Sequence, residues 1–113
     1  MKHVTYADRS LLVGDEAADT LLEYARLVAE NHGVETVTLR SVDADGIAVE
    51  TSFLLTTSSD LLIQSHNSEQ DPPDNTDAVA RMRSRIDQMT RPAHTETRGP
   101  LPDAALDDVV DPL

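Results

Sequence analysis

The chain has 113 residues, no cysteine, and 21 acidic against 9 basic side chains, which gives a formal net charge of −12 at pH 7. This length suits one ordinary domain. The acidity disfavours direct binding to nucleic acid or to anionic membranes, because both surfaces are recognised by clustered lysines and arginines. The lack of thiols excludes disulfide frameworks, cysteine nucleophiles and Cys-ligated metal sites.

The expected location and source follow from what the chain lacks and from its basic residues. The first residues lack the long apolar core of a signal peptide, and no stretch approaches about 18 consecutive apolar residues. We therefore expect a cytoplasmic protein with no membrane partner. Every basic residue except Lys2 is an arginine, which together with the abundant Ala and Asp suggests a bacterial, high-GC genome or a salt-adapted cytoplasm.

The first third of the chain predicts a hairpin followed by a helix. Residues 4–6 and 11–13 are β-prone runs separated by a polar turn. Gly14 breaks the second strand, Asp15 is the expected helix cap, and Gly33 is the expected stop. Apolar residues recur between them at helical spacing, namely Ala18, Leu21, Leu22, Ala25, Val28 and Ala29.

The middle of the chain predicts a three-stranded meander. Apolar and polar side chains alternate with a period of two over residues 36–40 and 47–56, on either side of a turn at residues 43–46. These two strands should pair as an antiparallel hairpin. A second turn at residues 57–60 leads to residues 61–63, which we expect to extend the meander as its third strand.

A second helix is expected after the polar, proline-containing loop at residues 66–75. Asp74, Asn75 or Thr76 could cap this helix, and Pro92 closes it. The helix has a narrow apolar stripe that must face either the sheet or a partner, so the stripe is a candidate interaction surface. Its members are Val79, Met82, Ile86 and Met89.

The C-terminal residues 91–113 contain four of the six prolines. We predict a flexible acidic tail there, outside a single domain at residues 1–90. The end of the tail has apolar residues at a spacing compatible with a few helical turns that dock on the domain or on a partner. The candidate docking residues are Leu106, Val109 and Val110.

Together these elements predict a two-layer α+β fold in the order ββαβββα. An antiparallel sheet of about five strands would carry both helices on one face. The other sheet face would be open, and the alternation puts Leu12, Leu54 and Leu62 on it. An exposed aliphatic sheet face is commonly covered by a second subunit.

No pattern in the sequence indicates a catalytic, cofactor-binding or metal site, and we expect no enzyme activity. Asp43, Asp45 and Glu50 resemble a fragment of a calcium loop, but the flanking period of two favours a plain hairpin turn. The four histidines are widely spaced and have no ligand motif. No serine lies in a Gly-x-Ser-x-Gly elbow, and the four glycines are too dispersed for a phosphate-binding loop.

The one basic cluster of the sequence, Arg81, Arg83 and Arg85, falls on the second helix. We predict that Asp77, Arg81 and Arg85 form a solvated ladder of i,i+4 pairs. The first helix carries the opposite charge, so the two helices could instead recognise each other across a symmetric interface. The acidic side of the first helix consists of Asp15, Asp19, Glu23 and Glu30.

These observations favour a non-enzymatic protein-interaction or accessory module that self-associates as a homodimer. The alternative is an acidic nucleic-acid mimic or inhibitor that occupies the basic site of a partner protein. A mimic should array its carboxylates on one continuous face, whereas a general solubilising charge should be scattered. A small hydrolase or ligand-binding domain would need a concave pocket with convergent polar groups and a perturbed pKa.

Overall fold

The computed structural model describes residues 1–91, so the predicted tail beyond Arg91 lies outside the described residues. The elements follow the predicted order as five strands and two helices: β1 (Lys2–Tyr6), β2 (Arg9–Val13), α1 (Asp15–Glu30), β3 (Glu35–Val42), β4 (Ala48–Leu55), β5 (Leu61–Ser65) and α2 (Thr76–Thr90). The strands form one antiparallel sheet, and buried residues of both helices pack on the same sheet face. The two-layer α+β prediction is confirmed. Neither described helix is long and apolar enough to cross a bilayer.

The strand order is β4-β3-β2-β1-β5, which corrects one sequence expectation. Residues 61–63 do not extend the meander beyond β4, because β5 pairs with β1 on the far side of the sheet. Near the end of β4, the hydroxyl of Tyr6 donates a hydrogen bond to the Leu54 carbonyl. The Tyr6 ring also packs edge-on against Phe53, with centroids 5.9 Å apart. The sheet is therefore curled, since a side chain of β1 reaches β4 across two intervening strands.

The join between β2 and β3 is narrow. It consists of one residue pair, Leu12 opposite Val42, because Gly14 turns the chain into α1 before β2 can follow the rest of β3. The side chain of Asn75 occupies the position beside β3 that β2 leaves free. Its Oδ1 accepts from the Arg40 N–H at 2.8 Å, and its Nδ2 donates to the Arg40 carbonyl at 2.9 Å. The loop before α2 is thereby tied to the sheet.

The core is aliphatic and lies between the sheet and α1. Val4, Leu21, Leu39 and Leu55 are fully buried there. The buried arc of α1 is wider than the predicted stripe and also includes Thr20, Tyr24 and Leu27, because α1 contacts α2 as well as the sheet. Leu22 was expected on the apolar face, but it is 45% exposed. Successive residues of a helix are about 100° apart around its axis, so Leu22 lies just outside the buried arc that contains Leu21.

The helix termini differ from the predicted caps. Gly14, not Asp15, is the N-cap of α1, and Asp15 is the first helical residue, where its carboxylate lies 3.3 Å from the N-terminal amine. At the other end His32, rather than Gly33, adopts the left-handed conformation with φ 53°. The Gly33 N–H then donates to the carbonyl of Val28 at 2.9 Å. This bond closes the helix in the way that a C-terminal glycine usually does.

Candidate functional site

The open face of the sheet is the candidate site, because both helices cover the opposite face. The strand register places alternate residues on this face. They are His3, Thr5, Ser10, Leu12, Thr36, Thr38, Arg40, Val42, Ala48, Glu50, Ser52, Leu54, Leu62 and Gln64. Most are uncharged polar or aliphatic. Arg40 and Glu50 are the charged residues of this set, and they lie opposite each other on β3 and β4.

Two leucines on the open face are accessible to a partner. Leu54 is 52% exposed and Leu62 is 51% exposed. The connection between β4 and β5 spans only residues 56–60, so the two leucines lie at the same end of the curled sheet. Leu12 occupies the same face by register, as predicted, but it is only half-buried beside Val42. The predicted aliphatic open face is thus present, and its two exposed leucines lie on the outermost strands, β4 and β5.

A polar cluster adjoins Leu62 on the same face, since Thr5 lies opposite Leu62 in the β1–β5 register. His3 Nδ1 is 3.2 Å from Ser10 Oγ, and the Thr5 hydroxyl lies 3.3 Å from the same Ser10 oxygen. The rings of His3 and His66 are perpendicular, with centroids 4.5 Å apart. Sequence reasoning missed this cluster, because only the pairing of β1 with β5 brings His66 to His3.

The predicted apolar stripe of α2 faces the protein's own core. Val79 is 7% exposed and Met82 is 3% exposed. Ile86 and Met89 are partly buried against the same core. Val79 and Met82 are therefore inaccessible to a partner in this conformation. The other proposed interaction residues, Leu106, Val109 and Val110, lie outside the described residues.

The arginines of α2 do not form the predicted Asp77–Arg81–Arg85 ladder. Arg83 pairs with Glu16 of α1 at 3.0 Å, and Arg85 pairs with Glu35 of β3 at 2.9 Å. These pairs bridge different elements because the buried apolar stripe of α2 turns the neighbouring arginines toward α1 and β3. The Arg83–Glu16 pair thus joins the oppositely charged helices α2 and α1 within one chain.

Tyr24 lies beside the Arg85–Glu35 pair. Burial is the main cause that raises the pKa of the Tyr24 hydroxyl, and the nearby Arg85 guanidinium acts in the opposite direction. The Tyr24 hydroxyl is in turn the main cause that raises the pKa of Arg85, and Glu35 adds to the effect. Both shifts keep Tyr24 neutral and Arg85 charged at neutral pH. The Arg85–Glu35 pair links α2 to β3, with Tyr24 of α1 beside it.

The carboxylate of Asp43 is used by the β3–β4 turn. Asp43 Oδ1 accepts the N–H of Asp45 and the N–H of Ile47, each at 2.9 Å. Gly46 takes φ 79°, which this turn requires. Residues 43–47 therefore form a hairpin turn, as the flanking period of two predicted. Within residues 1–91, no three or more histidine or acidic side chains group as metal ligands.

A cleft of about 270 Å³ lies between β3 and the start of α2. Its charged groups have both signs, with Arg40 and Arg81 near Asp74 and Asp77. Hydrogen bonds from the hydroxyl and then the backbone N–H of Thr76 lower the pKa of Asp74, so this carboxylate is an acceptor for the helix start. Asp74 and Asn75, which line this cleft, bind the start of α2 and the Arg40 backbone of β3 respectively.

Comparison with known proteins adds no functional information. Neither the protein-family models, nor the curated proteins, nor the solved structures contain a match to this chain.

Proposed function

We propose that this domain is a non-catalytic protein-interaction module that forms a homodimer through the open face of its sheet. The observation that carries the proposal is the low charge of this face, which has one cation and one anion in a chain of net charge −12. Depletion of charged residues is typical of the central part of protein interfaces. The lack of thiols fits a cytoplasmic location for such a module.

Two features favour a second copy as the partner. Two acidic chains repel each other least where neither presents a net charge. Arg40 and Glu50 are cross-strand neighbours, so a two-fold axis near them would bring each Arg40 toward the Glu50 of the other copy. Leu54 and Leu62 would supply apolar area that is otherwise exposed to water.

The arrangement of acids gives less support to the nucleic-acid mimic. Four carboxylates of α1 are engaged in ion pairs with cations of the same chain, rather than forming a free row. The pairs are Asp15 with the N-terminal amine, Glu16 with Arg83, Asp19 with Lys2, and Glu30 with Arg26. The remaining described acids are scattered over both helices, strands β3 and β4, and the turns and loops.

Light scattering coupled to size exclusion tests the homodimer at micromolar concentration. We expect a mass of about twice the 12.3 kDa of one chain. Leu54→Ser and Leu62→Ser should shift the protein toward the monomer, because each places a polar side chain in the interface. Leu22→Ser is the matched control, since Leu22 is 45% exposed on α1, on the other side of the molecule.

Two results would contradict this proposal. One is a monomer mass that persists over a wide concentration range. The other is a dimer that Leu22→Ser dissociates as readily as Leu54→Ser does.

A further inference from the structure

Two histidines that are remote in sequence meet on the open face of the sheet. In the β1–β5 register His3 lies opposite Gln64, so His66 is a diagonal neighbour of His3 on the same face. Their ring centroids are 4.5 Å apart and the rings are perpendicular, at 88°. Both side chains are half-buried, so they are held by the sheet and remain accessible from solvent.

This separation is close to, and somewhat shorter than, that of two imidazoles bound to one tetrahedral metal ion. A zinc–nitrogen bond of about 2.0–2.1 Å and a ring radius of about 1.1 Å put each centroid about 3.2 Å from the metal. Two such rings are then about 4.5 Å apart at a 90° ligand angle and about 5.2 Å apart at the tetrahedral angle. A change of χ2 at His66, a soft torsion for histidine, would aim one of its nitrogens toward His3 and leave the His3–Ser10 contact in place.

Ser10 orients one of the two rings. Its hydroxyl lies 3.2 Å from His3 Nδ1 and 3.3 Å from the Thr5 hydroxyl. In the tautomer in which Nδ1–H donates to Ser10 Oγ, Nε2 has the free lone pair of His3. Metal-binding histidines usually have such a partner on their second nitrogen, because it fixes the tautomer and the ring orientation.

We propose that His3 and His66 bind one Zn²⁺ ion through one imidazole nitrogen each, with water in the other coordination positions. The net negative charge of the chain favours the approach of a dication. With two protein ligands, the site is weaker than the closed four-ligand sites of structural zinc proteins. A bound ion would link β1 to β5, the last strand at this edge of the sheet.

The test is calorimetric titration of the full, tag-free chain with Zn²⁺ in a buffer that does not bind metals. We expect saturable binding of one ion per chain. His3→Gln and His66→Gln should each weaken the affinity at least tenfold, because each removes one of the two ligands. His32→Gln is the matched control and should bind as the original chain does, since His32 is exposed at the end of α1.

A second measurement uses the unaltered protein and does not depend on the folding of variants. In NMR spectra, Zn²⁺ should shift or broaden the ring protons of His3 and His66, and leave those of His32 unchanged. The melting temperature should also rise with Zn²⁺, because the ion binds only the paired strands. Absence of saturable binding, or equal binding by His3→Gln, His66→Gln and the original chain, would overturn the proposal.

The outcome is separable from that of the homodimer. The two features share one sheet face, where Leu62 lies opposite Thr5, but they have different readouts. Zinc binding is measured by stoichiometry per chain, and dimer formation is measured by mass. Failure of either one leaves the other intact.

Discussion

The side-chain amide of Asn75 makes with Arg40 both hydrogen bonds that a neighbouring strand would make. The Arg40 N–H donates to Asn75 Oδ1, and Asn75 Nδ2 donates to the Arg40 carbonyl. Asn75 is the N-cap of α2 by position, but its side chain makes no cap bond to the helix. Asp74 instead accepts the N–H of Thr76 at 3.0 Å. Asn75 thus binds the sheet, and the adjacent Asp74 binds the start of the helix.

Asn75→Ala should lower the free energy of unfolding by about 1–2 kcal/mol, because two backbone groups of Arg40 lose their partner. Asn75→Asp keeps the acceptor and loses the donor, so it should be destabilising as well. Urea denaturation followed by circular dichroism measures both effects. Asn67→Ala is the control, since the Asn67 side chain makes no hydrogen bond among residues 1–91. Equal stabilities of Asn75→Ala and Asn67→Ala would contradict the strand-like role.

Ala7→Gly should stabilise the protein by about 0.5–1 kcal/mol. Ala7 is the first residue of the β1–β2 turn and has φ 58°, a conformation that costs a side chain with a Cβ about 1–2 kcal/mol. Glycine removes that strain, and the greater flexibility of the unfolded chain offsets part of the gain. The same substitution at Ala44, in the β3–β4 turn, is the control and should be neutral or destabilising. In thermal denaturation, the melting temperature should rise for Ala7→Gly and should stay the same or fall for Ala44→Gly.

Local patterns were sufficient to predict the element types and the face that each strand buries. Val37 and Leu39 alternate with exposed threonines, and this period survives in the structure because one side of the sheet is covered by helices. The position of β5 could not be predicted in this way. Leu61 and Ile63 would be apolar on the helix-facing side beside β4 or beside β1, so their pattern does not distinguish the two edges.

The candidate site depends on that missing information. His3 and His66 have no sequence spacing that would suggest a pair, and they meet only because β5 joins β1. The prediction of ion pairs along α2 failed for a related reason. The i,i+4 rule treats a helix as isolated, but packing of Met82 in the core points Arg85 at Glu35 on another element. Contacts between remote elements decided both features.

Truncation after Arg91 should leave the melting temperature nearly unchanged. The core of the described residues extends from Val4 to Met89 and includes both helices. We therefore expect residues 1–91 to fold as one unit, with the same near-native circular dichroism and a sharp thermal transition. A large fall in melting temperature on truncation would instead favour docking of Leu106, Val109 and Val110 on this domain.

The start of α2 should make stability depend on pH through Asp74. Hydrogen bonds from the Thr76 hydroxyl and N–H hold the pKa of Asp74 below its usual value. A carboxyl whose pKa is lower in the folded state than in the unfolded state stabilises the fold above its unfolded pKa. That contribution is lost as the pH falls through the lowered pKa of folded Asp74.

Asp74→Asn should therefore unfold at a lower urea concentration than the original chain at pH 7, and the difference should shrink as the pH is lowered below about 4. The physical reason is that a protonated Asp74 resembles asparagine and no longer accepts a charge-assisted hydrogen bond from Thr76. Urea midpoints measured at several pH values check the trend. Asp71→Asn is the control, since the Asp71 side chain accepts no hydrogen bond among residues 1–91. A midpoint difference for Asp74→Asn that stays constant down to low pH would show that the charge of Asp74 does not stabilise this helix start.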